Sequence, residues 1–210
     1  MSDTLDTIAA ARLLPVVVID DVRGARPLAE ALKRGGLRCA EITLRTTAAE
    51  DSLGALAGDP ELLVGAGTVL NAAQAARVID LGARFVVTPG FSLEVVRHCR
   101  ARGVPVFPGV ATATELMAAL DAGIDTVKFF PAEQLGGLAT LKALAAPFGM
   151  MKFIPTGGIS PANLPGYLAH PAVLAAGGSW MVAPRLIGDG EFDKIAELTA
   201  TAVAIASGKE

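Results

Sequence analysis

Two cysteines, two histidines, one tryptophan and one tyrosine are all that this chain of 210 residues has of those types. Cys39 and Cys99 lie far apart and form no redox or metal motif. His98 and His170, in a charged helix and at a helix end, build no metal cluster and read as surface residues. With no disulfide framework, and no charged-then-apolar segment over Met1 to Ala10, the expected setting is a reducing, cytoplasmic one in which both thiols stay free. Long hydrophobic runs are also missing. Stretches such as Pro15 to Ile19 and Ala202 to Ala206 fall far short of the roughly 20 residues that span a bilayer, so no membrane partner is expected. There is no run of lysine or arginine either, and 18 basic against 21 acidic residues give a net charge of −3, which argues against a nucleic-acid partner.

Apolar and small residues fill the chain instead. Hydrophobic residues make up 52% and charged residues 19%, with a mean hydropathy of +0.50. A chain of this length buries roughly 70% of its unfolded surface, so a full core forms without staples. The remaining oddity is 23 glycines in a protein with so few large aromatic residues.

Short apolar runs recur at Leu14–Ile19, Cys39–Leu44, Leu62–Gly65, Arg84–Val87, Val104–Phe107, Thr126–Phe130, Lys152–Pro155 and Val173–Ala176. Helical patterns follow them at Pro27–Arg34, Ala48–Ala57, Asn71–Leu81, Ser92–Arg102, Thr114–Ala122, Leu138–Ala146, Pro161–Ala169 and Phe192–Ala206. Asn71 and Ser92 are placed to cap helix starts, Thr112 and Glu115 have capping-box spacing, and Gly35, Gly82, Gly103 and Gly123 fit left-handed helix stops. Strand and helix in strict alternation imply a parallel sheet covered by helices. Eight such units predict an α/β fold, the closed (β/α)8 TIM barrel, with Met1 to Arg12 as an extra N-terminal helix over its bottom. An open flavodoxin-like sheet takes only about five units. No linker divides the chain, so 1–210 is read as one domain.

Polar residues inside the strand patterns carry the chemistry. Strand alternation turns Ala40, Ile42 and Leu44 toward the helices and leaves Glu41, Thr43 and Arg45 inside. An ionised glutamate there demands a partner, and a structural Glu41–Arg45 pair is one way to supply it. Only six lysines exist. Most have the flanks of a solvated helix face or tail, but Lys128 sits within an apolar strand pattern with inward parity, sharing its face with Thr126 and Phe130. Desolvation works against the ammonium form, and a free amine is the nucleophile that Schiff-base chemistry with a carbonyl substrate uses. A structural Lys128 neutralised by Glu41 is the alternative. Lys152 is the rival nucleophile, but it stands four residues before Thr156, toward the end of a barrel that carries no catalysis.

The remaining glycines form pairs. Gly157–Gly158 follows the seventh strand and precedes a helix, and Gly177–Gly178, with Ser179 and Trp180, follows the eighth. Loops in those places commonly hold phosphate on bare backbone N–H groups. Trp180 reads as a packing anchor behind the last loop.

These residues resemble a known family. Glu41-Ile42-Thr43-Leu44-Arg45, Val64-Gly65-Ala66-Gly67-Thr68-Val69-Leu70, Pro89-Gly90, Lys128-Phe129-Phe130-Pro131-Ala132-Glu133, Pro155-Thr156-Gly157-Gly158-Ile159 and Gly177-Gly178-Ser179-Trp180 look like the 2-keto-3-deoxy-6-phosphogluconate (KDPG) aldolases, in the same order from about Leu14 to Ala206. The resemblance implies a class I aldolase in which Lys128 forms the imine with the 2-keto carbon and Glu41 is the general acid and base. It also implies that Arg45, Thr68 and Thr156 gather around the pyruvate carboxylate and that Pro89 and Phe130 shape the pocket. Gly157, Gly158, Gly178 and Ser179 would take the phosphate. A phosphorylated 2-keto acid is the implied ligand, with no cofactor, no metal, and a homotrimer as the assembly.

One departure stands out: Ile19-Asp20-Asp21 ends the first strand where relatives often carry a basic residue, and an Asp20 facing the mouth would repel a phosphorylated acid. Three other readings stay open beside this one. They are a 4-hydroxy-2-oxoglutarate (KHG) or 6-phosphogalactonate-type aldolase, a phosphosugar isomerase or epimerase on the same barrel, and a non-catalytic phosphosugar-binding barrel.

Overall fold

The computed structural model describes residues 2–208. Helix α1 (Ser2–Ala11) leads into β1 (Leu13–Val17), α2 (Ala25–Arg34), β2 (Cys39–Thr43), α3 (Ala49–Leu56), β3 (Leu63–Gly67), α4 (Ala72–Asp80) and β4 (Val86–Val87). Then come α5 (Leu93–Ala101), β5 (Val106–Phe107), β6 (Gly109–Val110), α6 (Ala113–Asp121), β7 (Thr126–Phe129), α7 (Gly137–Ala145) and β8 (Lys152–Pro155). The chain closes with α8 (Leu164–Leu168), β9 (Ala176–Gly178), α9 (Pro184–Gly188) and α10 (Phe192–Ser207).

Among the described residues nine strands appear for eight expected repeats, because the fifth repeat contributes two, on either side of Pro108. Proline has no N–H for the ladder and interrupts it there. Every pairing is parallel. One sheet runs β5-β4-β3-β2-β1-β9 and the other β6-β7-β8, and bridges at Phe153–Val173 and Thr156–Gly177 join β8 to the last repeat. The result is an α/β fold with a curled parallel sheet.

The helices begin where side-chain oxygens are available. Asn71 Oδ1 accepts the Gln74 N–H, Ser92 Oγ accepts the Val95 N–H, and Thr112 with Glu115 forms a full capping box. Gly82, Gly103 and Gly123 stop helices in the left-handed region, as expected. After α2, however, the left-handed residue is Gly36, at φ +89°, and Gly35 is right-handed. Gly35 answers a different demand, since a Cβ there would lie 2.4 Å from Thr199 Cβ on α10.

Strand alternation sorts the core into two layers. Outward residues such as Ala40, Ile42, Val127, Phe129 and Phe153 pack with the helices. Inward, Leu14, Cys39, Phe85, Phe107, Ile154 and Ala175 cluster with Ile8 of α1, and the Phe85 and Phe107 ring centres lie 5.8 Å apart. This apolar plug fills the lower interior, so polar inward residues one step further along each strand stand on a dry floor.

Candidate active site

Glu41 on β2 and Lys128 on β7 belong to different sheets, yet Lys128 Nζ donates to Glu41 Oε1 at 3.3 Å across the interior. The two residues are 1% and 3% exposed. Neighbouring strand positions explain the room they have. Gly67, on β3 beside β2, carries no side chain, and a Cβ there would come within 2.0 Å of Glu41 Oε1. Thr43 is buried on the same inward face and its hydroxyl donates to the Val17 carbonyl at 2.7 Å. Lys128 Nζ lies 5.2 Å from the centre of the Phe130 ring, a cation–π contact. Glu41 is therefore paired with Lys128 and not with Arg45.

Arg45 is not inside. β2 ends at Thr43, and Arg45 stands on the loop beyond, exposed, with its Nε donating to Thr68 Oγ1 at 3.3 Å. Thr68 is held at φ +57°, a left-handed conformation that is unfavourable for a β-branched residue and that collects at functional sites.

A hollow of about 260 Å³ opens at the carboxyl ends of these strands, lined by Val16, Val18, Arg45, Phe130, Thr156, Gly157, Gly158, Ile159, Gly177, Gly178, Ser179 and Pro184. Seven of the residues to which the resemblance gives binding roles, Arg45, Phe130, Thr156, Gly157, Gly158, Gly178 and Ser179, thus line one hollow. Phe130 links that lining to the pair below, since it borders the hollow and its ring centre lies 5.2 Å from Lys128 Nζ, whereas Lys128 and Glu41 themselves are not in the lining. Pro89 is not in the lining. It is half-buried on the loop after β4, where the Thr88 hydroxyl donates to the Gly90 carbonyl at 2.6 Å and accepts the Gly109 N–H at 3.3 Å.

The two glycine pairs differ. Gly157 and Gly158 form a turn at φ +100° and +78°. No helix starts there: α8 begins only at Leu164, and the Ser160 N–H is taken by Asn163 Oδ1 at 2.8 Å. Gly177 and Gly178, expected in a loop, lie inside β9. A Cβ would meet Thr156 Oγ1 at 2.2 Å from Gly177 and the Trp180 ring at 1.9 Å from Gly178, so these glycines make room for their neighbours. Among the described residues, no acceptor takes the N–H of Gly157, Gly158 or Ser179, which leaves bare donors around the hollow.

The other candidates fall away from the site. Lys152 is exposed and donates to the Pro171 carbonyl at 2.9 Å. Asp20 is exposed too, but it lines a separate hollow of about 290 Å³ with Asp21, Arg23 and Phe192, and the two hollows share only Pro184. His98 and His170 are half-buried rather than on the surface, and His170 Nδ1 accepts the Ala172 N–H at 3.2 Å. Burial pushes the Cys39 thiol up to about 12 and Cys99 up to about 11, so neither is a ready thiolate. Among the described residues no three His, Cys, Asp or Glu side chains gather to hold a metal ion, and no helix is long and apolar enough to cross a membrane.

Fold and site together define a class: a parallel α/β protein with a buried lysine–carboxylate pair beneath an opening rimmed by bare backbone N–H groups. The family model for KDPG and KHG aldolase matches residues 5–198. The chain is 47% identical over 206 residues to the 2-dehydro-3-deoxy-phosphogluconate aldolase of Treponema pallidum, covering 98% of each chain. The crystal structure of the KDPG aldolase of Zymomonas mobilis ZM4 with 3-phosphoglycerate superposes with a TM-score of 0.92 at 42% identity, over 98% of this chain and 97% of that one. The KDPG aldolase of Legionella pneumophila, with pyruvate captured at low pH as a covalent carbinolamine intermediate, gives 0.91 at 41% identity, over 95% and 97%. This chain belongs to the KDPG and KHG aldolase family.

Proposed function

We propose that the protein is a class I aldolase that reversibly cleaves 2-keto-3-deoxy-6-phosphogluconate to pyruvate and glyceraldehyde 3-phosphate through an imine on Lys128. The observation that carries this reading is the buried Lys128–Glu41 contact beneath an open hollow. The covalent pyruvate adduct of the Legionella relative supports it. Lys128 Nζ adds to the 2-keto carbon, and loss of water leaves a cationic imine. Glu41 supplies the proton for that loss and then, through a water, takes the proton of the C4 hydroxyl. The C3–C4 bond breaks, its electron pair moves into the imine, and the aldehyde leaves. The resulting enamine is protonated at C3 by Glu41 and hydrolysed to pyruvate, which frees the amine.

In this reading Arg45, Thr68 and Thr156 hold the carboxylate, Pro89 and Phe130 shape the pocket, and Gly157, Gly158, Gly178 and Ser179 hold the phosphate. The two sheets act as one closed (β/α)8 barrel over 1–210, a single domain that α1 seals at the bottom. The bridges between β8 and the last repeat, and the Glu41–Lys128 contact across the interior, support that closure. The homotrimer implied by the family resemblance is part of the proposal and is checked by sedimentation.

A coupled pyruvate-release assay with KDPG, its galactonate analogue and 4-hydroxy-2-oxoglutarate tests the activity. A higher kcat/KM for the last substrate would move the assignment to KHG aldolase, which the family also contains. No pyruvate from any of them would overturn it. Ser179→Asp places a carboxylate among the bare N–H groups. It should raise KM for the phosphorylated substrate and spare the unphosphorylated one, and equal losses would count against a phosphate site. Gly67→Ala should push the Glu41 carboxylate away from Lys128. A displacement on the order of 1 Å predicts a fall in kcat of about 10²-fold, measured as initial rates of pyruvate release with the melting temperature followed in parallel.

A further inference from the structure

Glu133 stands beside the glycine turn with the charge least suited to an anion site. It opens a short 3-10 helix, Glu133–Leu135, after β7, and its N–H donates to the Gly157 carbonyl at 3.1 Å, next to an Ala132 N–H that donates to the Thr156 carbonyl at 2.8 Å. Its Cβ and Cγ occupy the space that a Gly158 side chain would enter, 2.6 Å from the ideal Cβ position. The carboxylate itself is drawn away: Oε1 accepts a hydrogen bond from the hydroxyl of Tyr167 on α8, a residue only 1% exposed. On the other side of the turn, Asn163 Nδ2 donates to the Gly158 carbonyl at 3.0 Å. Gly157 and Gly158 are thus clamped by their carbonyls, with their N–H groups left over.

We infer that Tyr167 and Glu133 are positioning residues for the phosphate end of the substrate: the buried phenol orients the Glu133 carboxylate away from the anion, so that Glu133 can brace the Gly157–Gly158 turn without repelling its ligand. This rests on the reading of that turn as the phosphate site. Burial first, and the Glu133 carboxylate second, hold the phenol well above its ordinary pKa, so it stays a donor throughout the neutral range. A charge-assisted bond of this kind has consequences that a neutral packing contact lacks.

The test uses the full chain and three variants, Tyr167→Phe, Glu133→Ala and Glu133→Gln. Inorganic phosphate is the binding probe, titrated calorimetrically, and KM and kcat are measured for KDPG and for 4-hydroxy-2-oxoglutarate. Tyr167→Phe keeps the ring and removes only the hydroxyl. It should weaken phosphate binding and raise KM for KDPG by about tenfold, the effect of one hydrogen bond to a charged group. The KM for the unphosphorylated acid should stay within about twofold. Glu133→Gln keeps an oxygen acceptor for the phenol and should retain wild-type phosphate binding, whereas Glu133→Ala should lose it. Unchanged phosphate binding in Tyr167→Phe, equal KM increases for both acids, or no phosphate binding by the wild-type chain would each overturn the inference. A failure of the aldolase reading shows separately, as absence of pyruvate release by the wild-type chain, and the phosphate titration still decides the role of Tyr167.

Discussion

Lys128→Ala is expected to abolish pyruvate release from KDPG, a loss on the order of 10⁴-fold or more in kcat, because it removes the amine proposed to form the imine. Borohydride added with pyruvate should reduce the imine onto Lys128 in the wild-type chain, as a mass increase on the peptide that contains it. Label on Lys152, or none, would sink the assignment. Lys152 is the informative comparison, since it lies on the adjacent strand but is exposed and engaged by the Pro171 carbonyl. The substitution also leaves the Glu41 carboxylate buried without its partner, and breaking a buried pair costs about 3–5 kcal/mol of stability. Lys128→Met combined with Glu41→Gln should therefore restore much of the melting temperature without restoring any activity. Recovery of both would make the pair structural.

Glu41→Gln is expected to lower kcat by about 10²–10⁴-fold while leaving some imine formation, since it removes proton transfer but keeps size and shape. The 3.3 Å contact to Lys128 Nζ puts the carboxylate within reach of a carbinolamine formed on that nitrogen. Borohydride trapping and steady-state turnover separate the two steps: trapping should persist as turnover falls. Wild-type turnover in this variant would remove Glu41 from the mechanism.

Much of this was legible from residue order because parity in a strand is a local property. Glu41 and Lys128 could be turned inward on alternation alone, and both are buried on the inward face. The capping residues Asn71, Ser92 and Thr112 acted where expected because a cap involves only the next three residues. Arg45 escaped the same rule because β2 ends at Thr43, and parity has no meaning past the last ladder bond. The β9 glycines were misplaced for a related reason. A Gly–Gly pair reads as a turn, and only the Thr156 and Trp180 side chains lying over Gly177 and Gly178 explain why strand positions lack side chains. Asp20 could be read as adverse only if it faces the mouth; it lines a hollow that adjoins the first at Pro184, a placement that depends on where Pro184 and Phe192 return from the far end of the chain.

By itself, the sequence determined the alternating strand–helix repeat, the inward parity of Glu41 and Lys128 within their strands and the family motifs that surround them. These depend on periodicity and residue type. The tertiary structure decided that Lys128 pairs with Glu41 rather than Glu41 with Arg45, that Gly67 is bare to admit a carboxylate, and that Tyr167 reaches back 34 residues to Glu133. Each is a contact between strands, helices or loops far apart in the chain, and the curl of the sheet, which no local pattern encodes, sets their distances.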